Sequence, residues 1–229
     1  MYIPIFLSTI LFNFSNKSTI TVLVRGKMTR ELVDLPSYAY LLDYFRDYAN
    51  PKEKISRECR KGTLIRLKQG IYVTRSALDE GIPRGLIANR IYGPSYVSFA
   101  FALRLYGLIP EDVPNPTSAT LAKHRQKRFN TGFGTYYYRD IPEAVYSEDI
   151  VYVRAGRWRY LAATAEKALC DELSCLPAIR SKKAMRALLF ENLRIDEHGF
   201  EKLEARRIAA LVTLYKSTTL DTLGSFLEG

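Results

Sequence analysis

The chain of 229 residues is 47% hydrophobic and 25% charged, which gives room for one or two domains with a proper core and excludes a disordered or low-complexity protein. Lys and Arg number 34 against 24 Asp and Glu, and a net charge of +10 favours a polyanionic partner, because each neutralised phosphate releases condensed counterions. Cys59, Cys170 and Cys175 lack metal-ligand spacing and read as buried free thiols in a reducing cytoplasm, excluding a disulfide scaffold or a zinc finger.

Residues 3–14 (IPIFLSTILFNF) are apolar but lack the basic flank and cleavage site of a signal peptide. The run is also short of the roughly 20 residues that cross a bilayer, so no membrane partner is expected. We read 1–27 as an N-terminal extension, a translated leader ahead of a natural start at Met28, with a packed strand or helix as the alternative. N-terminal sequencing of protein made from its own promoter is expected to begin at Met28.

Residues 36–48 carry Tyr38, Leu41, Leu42 and Phe45 at helical spacing, with Pro36 in the first turn. Asn50, Pro51 and Glu53 then form a helix start in which Asn caps, Pro takes N1 and Glu53 reaches back to the cap. That helix runs to about Lys61 and stops at Gly62, with Ile55 and Cys59 facing inward. Residues 63–74 alternate into a hairpin that turns at Gln69-Gly70, with one apolar and one basic face. Residues 76–83 break the periodicity and read as a linker.

Beyond the linker, 84–92 and 95–106 read as helices, split by Gly93-Pro94 and ended by Gly107. Strands follow at 118–122, 135–139, 150–154 and 158–162, the last two joined through Ala155-Gly156-Arg157. Thr164 caps a helix to about Leu173, and helices at 181–192, 201–215 and 220–227 complete the chain. The fold class is therefore α+β: a winged helix-turn-helix at 28–75, then an α+β domain at 84–229 with a small sheet and a helical C-terminus.

A basic helix followed directly by a basic hairpin is the layout of a winged helix, in which the recognition helix enters the major groove and the wing holds the backbone. Lys52, Lys54, Arg57, Arg60, Lys61, Arg66, Lys68 and Arg75 are opposed only by Glu53 and Glu58, so this short stretch holds over half the excess charge of the chain. Lys54 and Arg57 are expected at base edges. Arg60, Lys61, Arg66 and Lys68 are expected at phosphates, with Gln69 at the wing tip. Only two helices precede the wing where three are usual, so either 29–35 supplies the first or the motif is trimmed.

A second basic surface is expected at Lys123, Arg125, Lys127 and Arg128, extended by Arg154, Arg157 and Arg159; a solvated loop is the plain alternative. Tyr92, Tyr96, Phe99 and Phe101 read as core. Catalysis has little support. His124 and His198 stand in unrelated contexts, no phosphate loop or zinc-protease motif is present, and Lys167 with Asp171 reads as an ordinary i,i+4 ion pair. No enzyme, cofactor or metal is expected.

The stretches LIRLKQGIYV (64–73), ANRIYGPSYVSFAFALRLYGLIPE (88–111), RFNTGFGTYYYRDI (128–141) and ATAEKALCDEL (163–173) resemble the AbiEi family, the antitoxins of bacterial type IV abortive-infection toxin–antitoxin systems. The resemblance spans about 36–175 and is most specific at 89–111. It implies a cytoplasmic regulator that binds repeats in double-stranded DNA of its own promoter through an N-terminal winged helix. It also implies a second domain that counters a nucleotidyltransferase-like toxin. Oligomeric state and operator are not legible. The alternatives are a module that holds a toxin directly, without specific DNA binding, and a metal-dependent nuclease.

Overall fold

The computed structural model describes residues 21–24 and 27–228. The apolar run at 3–14 lies outside the described residues. Strands β1 (Thr21–Val24) and β2 (Lys27–Arg30) pair antiparallel. Between β2 and Ser37 the chain is not helical, so 29–35 does not supply a first helix. Instead, residues 34–38 run beside a later strand: the amides of Tyr72 and Thr74 donate to the carbonyls of Pro36 and Asp34, and that of Tyr38 to Gly70.

Helix α1 (Tyr38–Tyr44) is capped by the Ser37 hydroxyl and buries Leu41. Helix α2 (Pro51–Arg60) has the expected Asn50 cap, whose side chain accepts from the Glu53 amide. The Glu53 carboxylate, however, turns to Arg60 at 2.6 Å. Strands β3 (Leu64–Lys68) and β4 (Ile71–Thr74) form the expected hairpin, with a bulge between Arg66 and Lys68. Both faces of it are apolar. Leu64 and Tyr72 pack with Leu41, Phe45 and Ile55 of the two helices, while Leu67 and Val73 join a second cluster shared with the rest of the chain.

The segment read as a linker carries α3 (Arg75–Asp79), capped by Thr74, with Ala77 and Ile82 buried in that second cluster. Helix α4 (Arg84–Ile91) follows, then β5 (Ser95–Ser98) and α5 (Phe99–Leu105). Residues 95–98 were expected to be helical. All four are buried on both sides, which is the environment of a central strand rather than of an amphipathic helix. The remaining strands are β6 (Thr117–Thr120), β7 (Lys127–Thr131), β8 (Gly134–Asp140), β9 (Ile150–Ala155) and β10 (Trp158–Ala163). Short α6 (Glu143–Tyr146) precedes β9.

The last six of these strands build one mixed sheet in the order β7-β8-β6-β5-β10-β9, parallel where β6 meets β8 and where β5 meets β10. Alternation sorts its side chains. Val97, Tyr136, Tyr138 and Ala162 face α4 and the hairpin, while Tyr96, Ala119 and Ala163 face the C-terminal helices. Gly85 lets α4 lie close on β10, since a Cβ there would sit 2.3 Å from the Tyr160 ring. The far layer comprises α7 (Ala165–Ser174), α8 (Lys182–Ala187) continuing into a π-helical turn (Leu188–Asn192), α9 (Glu197–Glu201), α10 (Ala205–Tyr215) and α11 (Thr218–Leu227). The expected stripe Ile208, Leu211, Val212 and Tyr215 is buried. The chain is α+β with a helical C-terminus.

Lys167 and Asp171 are an i,i+4 pair, but not an ordinary one: both side chains are 0% exposed. The Lys167 ammonium lies 3.1 Å from Asp171 and donates to the Tyr215 hydroxyl at 2.6 Å. Asp171 also accepts from the hydroxyls of Tyr96 at 3.1 Å and Ser98 at 2.6 Å. Burial and the Asp171 charge keep both tyrosines protonated, and burial pulls the Lys167 pKa down against the pull of Asp171. The network ties β5, α7 and α10 together. Lys167→Met is expected to cost about 3–5 kcal/mol by stranding a buried carboxylate, whereas Lys167→Met with Asp171→Leu costs far less. Urea midpoints of the two variants check this.

Candidate functional site

Helix α2 packs through Ile55 against α1 and the hairpin and leaves Lys52, Glu53, Ser56, Arg57 and Arg60 exposed. Arg57 stands on this face with no ion pair among the described residues, as sequence placed it. Ser56 had no charge to mark it and was missed; only the helical phase set by Ile55 identifies it.

Lys54 does not join that face. Its side chain is only 20% exposed, bonds Glu58 at 2.8 Å and lies 4.9 Å from the Tyr48 ring centre and 5.7 Å from that of Phe45. It braces α2 instead of reaching outward. Glu58 also accepts from the Thr63 hydroxyl at 2.6 Å and lies 3.8 Å from Lys61. Arg60 is exposed and held by Glu53, so both of these later cations carry a counter-charge. Arg66 is exposed on β3, its guanidinium facing the Lys68 carbonyl at 3.4 Å, and Gln69 is exposed at the turn. Arg75 is exposed, beside the Gly62 carbonyl.

Lys68 is the larger departure. The hairpin has no wholly basic face, since Lys68 folds back over Phe129 at 4.9 Å and Tyr92 at 5.8 Å, and burial lowers its pKa. Lys123 covers the same Tyr92 ring at 5.3 Å. The hairpin cation and the second basic run therefore meet. That run is not purely loop, because Lys127 and Arg128 open β7, with Arg125 and His124 exposed before it. Nor is it free of acid: Asp140 accepts from the His124 amide and from the Thr120 hydroxyl.

Arg154, Arg157 and Arg159 do not extend this surface. They lie on β9, β10 and the turn between them, at the opposite edge of the sheet from β7. Five strand spacings of about 4.8 Å separate the edges. Arg157 is also occupied: it bonds Asp34 and Glu80 at 2.9 Å each and stacks on Trp158, whose indole N–H donates to Asp34. It latches the sheet to the hairpin module.

The acidic residues around α7 are likewise engaged. Glu166 accepts from the Glu204 amide, and Glu172 accepts from that of Ala100 at the turn into α5. Among the described residues, no group of three or more His, Cys, Asp or Glu side chains is placed to hold a metal. His198 is exposed near Glu201. The three cysteines are free, but only Cys170 is buried; Cys59 is half-buried and Cys175 exposed, against the expectation of three buried thiols. No helix among the described residues is long and apolar enough to cross a membrane. No protein-family model matches this chain, and no match was found among curated proteins.

Hydrogen bonds from Lys54 and then Thr63 hold the Glu58 carboxyl below its ordinary value. A depressed carboxylate pKa stabilises the fold above the ordinary range near about 4.3, and the gain is lost as pH falls through the folded-state value. Glu58→Gln is thus expected to lower stability at pH 7 by up to about 1 kcal/mol, the range of a partly exposed i,i+4 pair. Below that depressed pKa the two proteins should melt alike, as thermal unfolding followed against pH would show.

Proposed function

We propose that residues 34–74 act as a trimmed winged helix and that the chain is a DNA-binding regulator acting on its own promoter. The observation that carries this reading is the outer face of α2. A capped helix, braced from behind by Lys54, Glu58 and the aromatic side chains, presents Lys52, Ser56, Arg57 and Arg60 to solvent. In this reading Arg57 and Ser56 meet base edges. Arg60, Lys61 and Arg66 hold phosphates, with the Asn50 end of the helix directed at the groove.

The resemblance to the AbiEi antitoxins extends the proposal: the sheet and C-terminal helices counter a nucleotidyltransferase-like toxin in the bacterial cytoplasm, without catalysis by this chain. Co-expression with the adjacent toxin gene, scored by growth, tests that part. An adjacent gene of unrelated type overturns it.

A second reading, a module that binds a toxin directly without specific DNA recognition, is favoured by β9. This strand is a sheet edge, and its Tyr152 is 72% exposed beside exposed Val151. Edges of that kind accept partner strands.

Fluorescence anisotropy with the upstream DNA at several salt concentrations separates the two. Arg57→Ala is expected to weaken specific binding by about 1–3 kcal/mol and to flatten the preference for the operator over random DNA. Arg66→Ala should weaken both DNAs alike and lower the salt slope by about one. Equal binding of wild type to operator and random DNA would favour the second reading.

A further inference from the structure

The register of the β7 edge decides which cations belong together. Lys127 stands opposite Tyr138, Arg128 opposite Tyr137 and Phe129 opposite Tyr136. Directly opposed residues share a face of the sheet. Tyr136 and Tyr138 are buried on the side of α4 and the hairpin, and the Tyr138 hydroxyl donates to the Ala88 carbonyl at 2.7 Å. Lys127 and Phe129 therefore project on the hairpin side, and Arg128 on the reverse.

On that side Tyr92, Phe129 and Tyr138 form a ring cluster with centres 5.3 to 5.6 Å apart. Two ammonium groups, Lys68 from β3 and Lys123 from the loop before β7, rest on it and share the Tyr92 ring. Neither these nor Lys127 has an acidic partner among the described residues. Cations gathered on one apolar seat repel one another and lose hydration, an arrangement that an incoming anion relieves. Its position is also specific. Helix α2 covers one face of the hairpin, and β7 lies against β3 on the other side. Lys68 stands on the hairpin itself, and Lys123 and Lys127 stand beyond it at the β7 edge of the sheet.

We propose that Lys68, Lys123 and Lys127 form a second phosphate-binding patch, which carries the DNA footprint past the hairpin onto the sheet. This inference rests on α2 binding DNA as proposed above. Arg128, Arg154 and Arg157 are outside the patch. The choice of nucleic acid over an acidic protein follows from charge complementarity and from the absence, among the described residues, of an exposed apolar anchor on the lysine face.

The test compares salt slopes and hydroxyl-radical footprints on the upstream DNA for wild type, Lys123→Gln with Lys127→Gln, the same pair changed to Arg, and Arg128→Gln. Glutamine keeps part of the aliphatic stem over the rings, and circular dichroism confirms folding. The Gln pair should lower the slope by about 1.8, at about 0.9 per phosphate, and shorten protection at one end of the site. The Arg pair and Arg128→Gln should keep both. If wild type binds but the Gln pair leaves slope and footprint unchanged, the patch is overturned while the α2 reading stands, and the lysines pass to an acidic protein partner. Equal loss with Arg128→Gln also overturns it. If wild type fails to bind that DNA, both readings fall.

Discussion

A hairpin of two short strands, five and four residues long and packed on both faces, is the constraint on which the architecture depends. Odd and even positions of β3 and β4 serve different cores. Leu64 and Tyr72 belong with the helices α1 and α2, and Leu67 and Val73 with α4 and the sheet. Full burial of side chains of this size stabilises by roughly 1.5–3 kcal/mol each, so the hairpin is held from both sides. Strand pairing with 34–38 secures it laterally, and Arg157 fastens the same segment through Asp34. The orientation of α2 relative to the sheet is thereby fixed by packing.

Charge is used in two distinct ways in this chain. Inside, Lys167 and Asp171 neutralise one another within a set of hydroxyl donors, and Glu166 and Glu172 secure backbone amides at helix junctions. Such groups specify how strands and helices meet more than they add net stability. Outside, the excess positive charge is unevenly held. Lys54, Arg60 and Arg157 are committed to carboxylates, whereas Arg57, Lys123 and Lys127 have no such partner among the described residues. Net charge in a sequence cannot distinguish these two populations, because partners such as Asp34 lie far away in the chain.

Local features were legible from sequence. The Asn50 cap, the Gln69-Gly70 turn, the Thr164 cap and the buried stripe of α10 depend on neighbours within a few residues, and each stands where the pattern placed it. Features set by distant packing were not. Tyr92, Tyr96, Phe99 and Phe101 are spaced as on a helix, yet covering on both faces makes residues 95–98 a strand. The punctuation of residues 76–83 hides α3, because a five-residue helix is too short to show a period. Lys54 was read as outward-facing because its charge outweighed its position beside Tyr48 and Phe45. Arg157 was grouped with the basic run although five strand positions part them, since strand order is absent from local pattern.

A hairpin shared between two cores has a consequence for how such a protein can change over time. A module that moves between genes as a cassette needs a core of its own and a boundary that few contacts cross. Here, severing the chain after residue 75 would bare Leu67, Ile71 and Val73 on one side and the rings of Tyr92 and Phe129 on the other. Neither fragment would be a finished object. Recombination at that boundary is therefore penalised, and substitutions on the hairpin must be tolerated by two neighbourhoods at once. The hairpin module and the body it is joined to are bound to diversify as a single lineage.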